Sequence, residues 1–182
     1  GERIDHWVDA RSPDTRAGVR LFLQVCDAVA HAHRKLVIHR DLKPSNVLVD
    51  ADGNPRLLDF GIARFSDASD EHTRTMWRAM TPGFAAPEQT EGAPPSTQMD
   101  IYGLGALLHC LLTGRAPAPG AGDDRASALV RDPSDPRHRH HGALRQDLDR
   151  VLGKALAHEP ERRYPSVDAL VADLQRWLDG HP

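Results

Sequence analysis

Between Thr97 and Thr113 the chain carries Ile101, Leu104, Leu107, Leu108, Leu111 and Leu112, with alanine and glycine filling half of the gaps between them. The spacing is helical, yet almost no polar face is left over. A helix apolar on nearly all sides is surrounded by other elements, so the fold must be built around this one. At 182 residues the chain is long enough to do so as one domain. Other helices are available to cover it. From Ala17 to Lys35, Leu21, Phe22, Val25, Val29 and Ala32 recur every three or four residues, which predicts an amphipathic helix. Two more helices are expected after residue 143. The second is marked by Val167, Leu170, Val171, Leu174, Trp177 and Leu178.

The first sixteen residues are polar and end in a Ser12-Pro13-Asp14 turn signal suited to capping the helix that follows. Val37-Ile38-His39, Val47-Leu48-Val49 and Leu57-Leu58 are short β-type runs, with Asp52-Gly53-Asn54 between the last two. Asp-Gly between apolar runs favours a tight turn, so residues 46–60 read as a small hairpin with a loop at each end. Residues 64–85 have no sustained period and read as a long loop of the kind that carries function. A Pro/Gly/Arg/His-rich stretch runs from Gly114 to about 143, and its Arg137-His138-Arg139-His140-His141 cluster, without metal-ligand spacing, reads as a solvated tract. The architecture expected is mainly α: a helical bundle around a central buried helix, with one small hairpin.

Composition narrows the function classes. A formal net charge of −3 gives no general electrostatic case for nucleic acid or an anionic membrane. No apolar run approaches the roughly 20 residues of a membrane span. Cys26 and Cys110 lie in apolar helical patterns and are expected as free thiols of a reducing, cytoplasmic compartment. The chain begins with Gly1, consistent with a piece of a longer protein, whose other segments are free to anchor it to a membrane. Lysine occurs only at 35, 43 and 154 against twenty arginines, a bias of GC-rich bacterial genomes.

The two loops at the hairpin's ends carry the chemistry. The first reads His39-Arg40-Asp41-Leu42-Lys43-Pro44-Ser45-Asn46, the second begins Asp59-Phe60-Gly61, and Ala86-Pro87-Glu88 follows. In that order and spacing these motifs resemble the serine/threonine protein kinase family, bacterial type. Phosphoryl transfer needs a carboxylate to orient the attacking hydroxyl and take its proton, and a cation to neutralise the phosphates. Asp41 matches that base. Asn46 and Asp59 offer the hard oxygens Mg²⁺ prefers, and Lys43 matches the lysine aimed at the γ-phosphate of ATP, a task for a compact charge.

The resemblance implies further roles. Leu48 forms part of the floor under adenine. Arg40 awaits a phosphorylated residue in the long loop, Thr73 or Thr75 ahead of Ser66 and Ser69. Thr81 sits near the base and docks substrate; with Lys43 it points to Ser/Thr rather than Tyr substrates. His39 and Phe60 are structural links, Glu88 pairs with Arg163, and Asp100 holds the catalytic-loop backbone. Met80, Phe84 and Met99 depart from common family choices and bear on substrate docking rather than chemistry.

The resemblance covers residues 1–182 as the C-terminal lobe of a catalytic domain, starting just after the hinge. A glycine-rich phosphate loop, a lysine strand and its partner glutamate are not in the sequence, so the N-terminal lobe is an implied partner. Implied too are ATP, Mg²⁺ and protein substrates, with the chain alone catalytically silent. Two other readings are a pseudokinase-like scaffold and a small-molecule phosphotransferase. The intact Asp41, Asn46 and Asp59 weigh against the first, Ala86-Pro87-Glu88 and the long loop against the second.

Overall fold

A computed structural model describes residues 1–58, 83–118 and 125–180. In chain order its elements are β1 (Glu2–Arg3), α1 (Ile4–Arg11), α2 (Thr15–Arg34), β2 (Val47–Val49), β3 (Pro55–Leu57), α3 (Pro87–Thr90), α4 (Thr97–Thr113), α5 (Ala126–Leu129), α6 (His141–Ala143), α7 (Asp149–Ala155) and α8 (Val167–Leu178). Short 3₁₀ turns precede β2, α6 and α8, and one π turn, Leu144–Leu148, joins α6 to α7.

The apolar stretch becomes α4, buried from Met99 to Thr113 apart from a partly covered Cys110. Helices α2 and α7 flank it, and α8 packs on α2. Two glycines on α4 permit close approach. A Cβ on Gly103 would lie 2.9 Å from the Cβ of Leu42, and one on Gly105 would lie 2.8 Å from the Cβ of Ala155. The first lets the loop that precedes β2 rest directly on the central helix. Gly114, in the left-handed region at φ 75°, ends α4 with its N–H on the Cys110 carbonyl.

Asp14 caps α2 by accepting from the Ala17 N–H at 2.7 Å, and Ser166 caps α8 through the Ala169 N–H at 3.2 Å. The hairpin is present with Val47 opposite Leu57 and Val49 opposite Pro55. It has a third strand: β1 pairs antiparallel to β2, with Glu2 opposite Val49 and Arg3 opposite Leu48.

Several expectations are corrected. The polar N-terminal stretch contains α1, anchored by buried Ile4 and Val8 one turn apart and ended by Ser12 at φ 45°. Val37-Ile38-His39 forms no strand; the Val37 N–H donates to the Ala32 carbonyl at 3.0 Å and the His39 N–H to the Asp100 carboxylate at 2.8 Å instead. The Arg/His cluster is no solvated tract. Arg137 donates to the Leu111 carbonyl at 2.6 Å, one of the carbonyls orphaned at the end of α4, and also pairs with Asp9. His140 is 2% exposed and hydrogen-bonds Thr15 Oγ1 through Nδ1 at 2.8 Å. The end of α4, left without donors, draws Arg137 inward, and the start of α2 holds His140.

Cys26 and Cys110 are both free thiols. Burial pushes both up, Cys110 to about 11, which leaves neither thiol reactive at neutral pH. Among the described residues no helix is long and apolar enough to cross a membrane.

Candidate active site

The loop from His39 to Lys43 has no regular structure, so side chains from elsewhere fix its backbone. The main anchor is Asp100 in the first turn of α4, 1% exposed. Its Oδ2 accepts from the His39 N–H at 2.8 Å and its Oδ1 from the Arg40 N–H at 2.7 Å. The Nε2 of His33, near the end of α2, lies 2.7 Å from the same Oδ2. These contacts satisfy a carboxylate that burial would otherwise make costly.

His39 is fully buried and ties the loop to the far end of the hairpin. The Asp41 N–H donates to its Nδ1 at 3.3 Å, which assigns the ring proton to Nε2, and Nε2 lies 2.8 Å from the Leu58 carbonyl. The Leu58 N–H in turn donates to the Asn46 carbonyl at 2.8 Å. The hairpin therefore brings Asn46 beside Leu58, the residue before Asp59. Asp59 itself, with Phe60, Thr73, Thr75 and Thr81, lies outside the described residues, as do Ser66, Ser69 and Met80.

At the centre stands the Asp41 carboxylate. Its Oδ2 accepts from Asn46 Nδ2 at 3.0 Å and pairs with Lys43 Nζ at 3.0 Å. Asn46 Nδ2 also donates to the Asp41 backbone carbonyl at 2.7 Å. The Asp41 and Lys43 side chains are 23% and 17% exposed, so the pair is neither sealed off nor freely solvated. Leu42 between them is buried against α4 and pins the turn. Arg40, just before the carboxylate, sits at φ 69°, a left-handed conformation uncommon for any residue but glycine. Leu48 is half-buried in β2, next to Gly1.

A second polar cluster lies behind this one. Arg163, its side chain 0% exposed, meets Glu88 in a two-pronged pair at 2.6 and 2.7 Å. Its remaining N–H groups donate to the carbonyls of Ala157, Gln98 and His158. Its guanidinium lies 5.1 Å from the Tyr102 ring centroid. Phe84 and Met99 join one small apolar cluster with Ala86, Tyr102, Ala106 and Leu156.

Sequence reasoning missed His33, Gln89 and Tyr102. Gln89 Nε2 donates to the Arg40 carbonyl at 2.9 Å. No spacing signals such a bond, because its two ends are 49 residues apart. His33 had a faint signal, a histidine on the apolar side of a helix end close to a loop rich in acceptors.

Residues 3–174 match the protein kinase domain family. The chain belongs to that family. It is 36% identical over 172 residues to the serine/threonine-protein kinase PknB of Mycobacterium tuberculosis, covering 92% of this chain and 27% of PknB. To the serine/threonine-protein kinase PrkC of Bacillus subtilis it is 31% identical over 182 residues, 98% of this chain and 28% of PrkC. The crystal structure of a mutant PknI kinase domain from M. tuberculosis superposes with a TM-score of 0.69 at 26% identity, over 97% of this chain and 61% of that one. The fold is thus that of the mainly α lobe of a protein kinase. This kinase chain spans about a quarter of the length of the curated relatives it matches.

Proposed function

We propose that the protein carrying this chain transfers the γ-phosphoryl group of ATP to Ser or Thr hydroxyls of protein substrates, and that residues 1–182 supply the C-terminal lobe of its catalytic domain. The observation that carries the proposal is the Asp41 carboxylate, shared at 3.0 Å by Lys43 and Asn46 on a loop hung from buried Asp100. A general base must be held in place before the substrate arrives, and a loop without regular structure needs such anchors to hold it.

In this reading Asp41 orients the incoming hydroxyl and takes its proton. Lys43, already beside Asp41, faces the γ-phosphate, where a positive charge stabilises the transferring group. Asn46 spends its amide nitrogen on Asp41, and among the described residues its amide oxygen has no hydrogen bond. That hard oxygen fits Mg²⁺, and Asp59 is the second donor by sequence. Mg²⁺, when bound, neutralises charge on the ATP phosphates. Leu48 lies under adenine. Arg40 receives a phosphorylated Thr73 or Thr75, Thr81 docks the substrate hydroxyl, and an N-terminal lobe covers the nucleotide. The need for ATP and the two free thiols favour a cytoplasmic location for this lobe.

The test is Asp41→Asn in the intact kinase. Phosphoryl transfer should fall by about 10²–10⁴-fold, with ATP affinity little changed. Near-normal turnover overturns the assignment.

A further inference from the structure

Two neighbouring side chains of α3 are anchored to different parts of the lobe. Glu88 is held by Arg163 in the late helical region, and Gln89 donates to the Arg40 carbonyl at 2.9 Å. Both peptide groups of Arg40 are therefore clamped, its N–H by Asp100 at 2.7 Å and its carbonyl by Gln89. Arg40 is also one of three non-glycine residues at positive φ among those described, at 69°. A left-handed backbone at a side-chain-bearing residue persists only where its surroundings impose it. The carbonyl that Gln89 holds belongs to the peptide joining Arg40 to Asp41. The plane of that peptide sets the direction in which the Asp41 side chain leaves the backbone. The N–H of the same peptide is held more weakly, by His39 Nδ1 at 3.3 Å, so loss of the Gln89 bond lets the plane tilt and loosens the contacts of the carboxylate with Lys43 and Asn46.

The geometry points to Gln89 as a positioning residue that locks the Arg40 turn and so aims Asp41. The inference rests on Asp41 being the base, as proposed above. It gives α3 a role beyond anchoring: the segment directly after residues 59–82 has a single-bond link to the catalytic carboxylate. A shift of α3 by about 0.7 Å takes that 2.9 Å bond out of hydrogen-bond range, while the Glu88–Arg163 pair, starting at 2.6 and 2.7 Å, stays within it.

The experiment uses the intact kinase with Gln89→Leu and Gln89→Glu, each also in an Asp41→Asn background. Gln89→Leu should lower kcat about tenfold, the scale of one hydrogen bond to a part-buried carbonyl. KM for ATP should stay within about twofold, since no nucleotide contact is touched. In the Asp41→Asn background the same change should cost nothing further, because the group it aims is gone. Gln89→Glu has no proton to donate when ionised but donates when protonated. Its kcat relative to wild type should therefore recover only as pH falls toward the glutamate range, about 4.3 and somewhat higher for a half-buried carboxyl beside a carbonyl. That recovery decides the matter should the Leu variant fail to melt cooperatively. A kcat equal to wild type for both variants, or an equal further loss in the Asp41→Asn background, overturns the inference and leaves the base assignment standing. If Asp41→Asn alone changes nothing, both fall.

Discussion

Replacing Glu88 by glutamine keeps the size of the side chain and removes only its charge, which isolates what the Glu88–Arg163 pair contributes. The Arg163 side chain is 0% exposed, so once Glu88 is neutral the guanidinium cannot be rehydrated in place. All five of its N–H groups are engaged: two with Glu88 and three with the carbonyls of Ala157, Gln98 and His158. Glutamine retains one acceptor for the guanidinium and turns an NH₂ group toward the other Nη, donor against donor. Breaking a buried pair from one side typically costs about 3–5 kcal/mol. Glu88 is itself 14% exposed, a small path for water that places the expected cost toward the lower end of that range.

For a chain of this size each kcal/mol lowers Tm by about 2–4 °C, so Glu88→Gln should lower it by roughly 6–16 °C. The measurement is a thermal melt followed by circular dichroism, with urea midpoints as a check. Arg163→Met should cost a similar amount for a different reason, because three carbonyls lose their donor. The double variant should cost less than the sum and still not recover wild-type stability, since those carbonyls stay unpaired. A Tm for Glu88→Gln within about 2 °C of wild type would refute the argument, and show that the guanidinium is held by carbonyls alone.

If Arg40 receives a phosphate, Arg40→Ala in the intact kinase should make activity insensitive to phosphatase treatment, and mass spectrometry of the active enzyme should find phosphate on Thr73, Thr75, Ser66 or Ser69; an active enzyme with none there refutes it. A separate expectation concerns pH. Burial, with help from Arg139 and Arg137, lowers His140 to about 4, whereas an unfolded histidine titrates near 6.5. Between those values the unfolded chain binds the extra proton, so stability is fully present above about pH 6.5 and falls as pH drops toward 4, by at most about 1.4 kcal/mol per pH unit. His140→Gln, which does not titrate and can still bond Thr15, should flatten that part of the urea-midpoint profile; an unchanged slope would exclude His140 as its source.

What could be read from the sequence follows from how local each signal is. Helix α4 was legible because seventeen residues repeat one message, and a solvated alternative has no place for six leucines and isoleucines on several sides. The caps at Asp14 and Gly114 were legible because they act within three or four residues. Helix α1 was not: eight residues with two fully buried anchors fall below any reliable period. Strand β1 is two residues long and exists only through its pairing with β2. The Arg137–His141 tract was misread because its partners, the end of α4 and residues of α1 and α2, are more than a hundred residues away at the extreme. At the candidate site the motifs singled out Asp41, Lys43, Asn46 and Asp100, while the bonds of Gln89 and His33 join residues 49 and 67 positions apart and leave no local signal.

That division has a physical cause in how the catalytic loop is held. A strand or helix would fix Asp41 through backbone bonds to near neighbours. Here the anchors come from α4 some 60 residues on, α3 49 residues on, and the end of the hairpin 19 residues on. Long-range anchors make the loop's geometry a property of the folded lobe. They are also unequal. Asp100 sits in the first turn of a helix whose burial is the core of the domain, so it cannot let go without unfolding. Gln89 sits on a four-residue helix with no fully buried side chain, and it can let go while everything else remains. A backbone turn that costs energy to maintain, and that can lose the Gln89 anchor while Asp100 and His39 stay, lets the carboxylate that follows it shift. The removable anchor lies on the segment that directly follows the phosphoacceptor candidates. If Asp41 is the base proposed above, its control from that segment needs no change in the core, only the gain or loss of the bond between Gln89 and the Arg40 carbonyl.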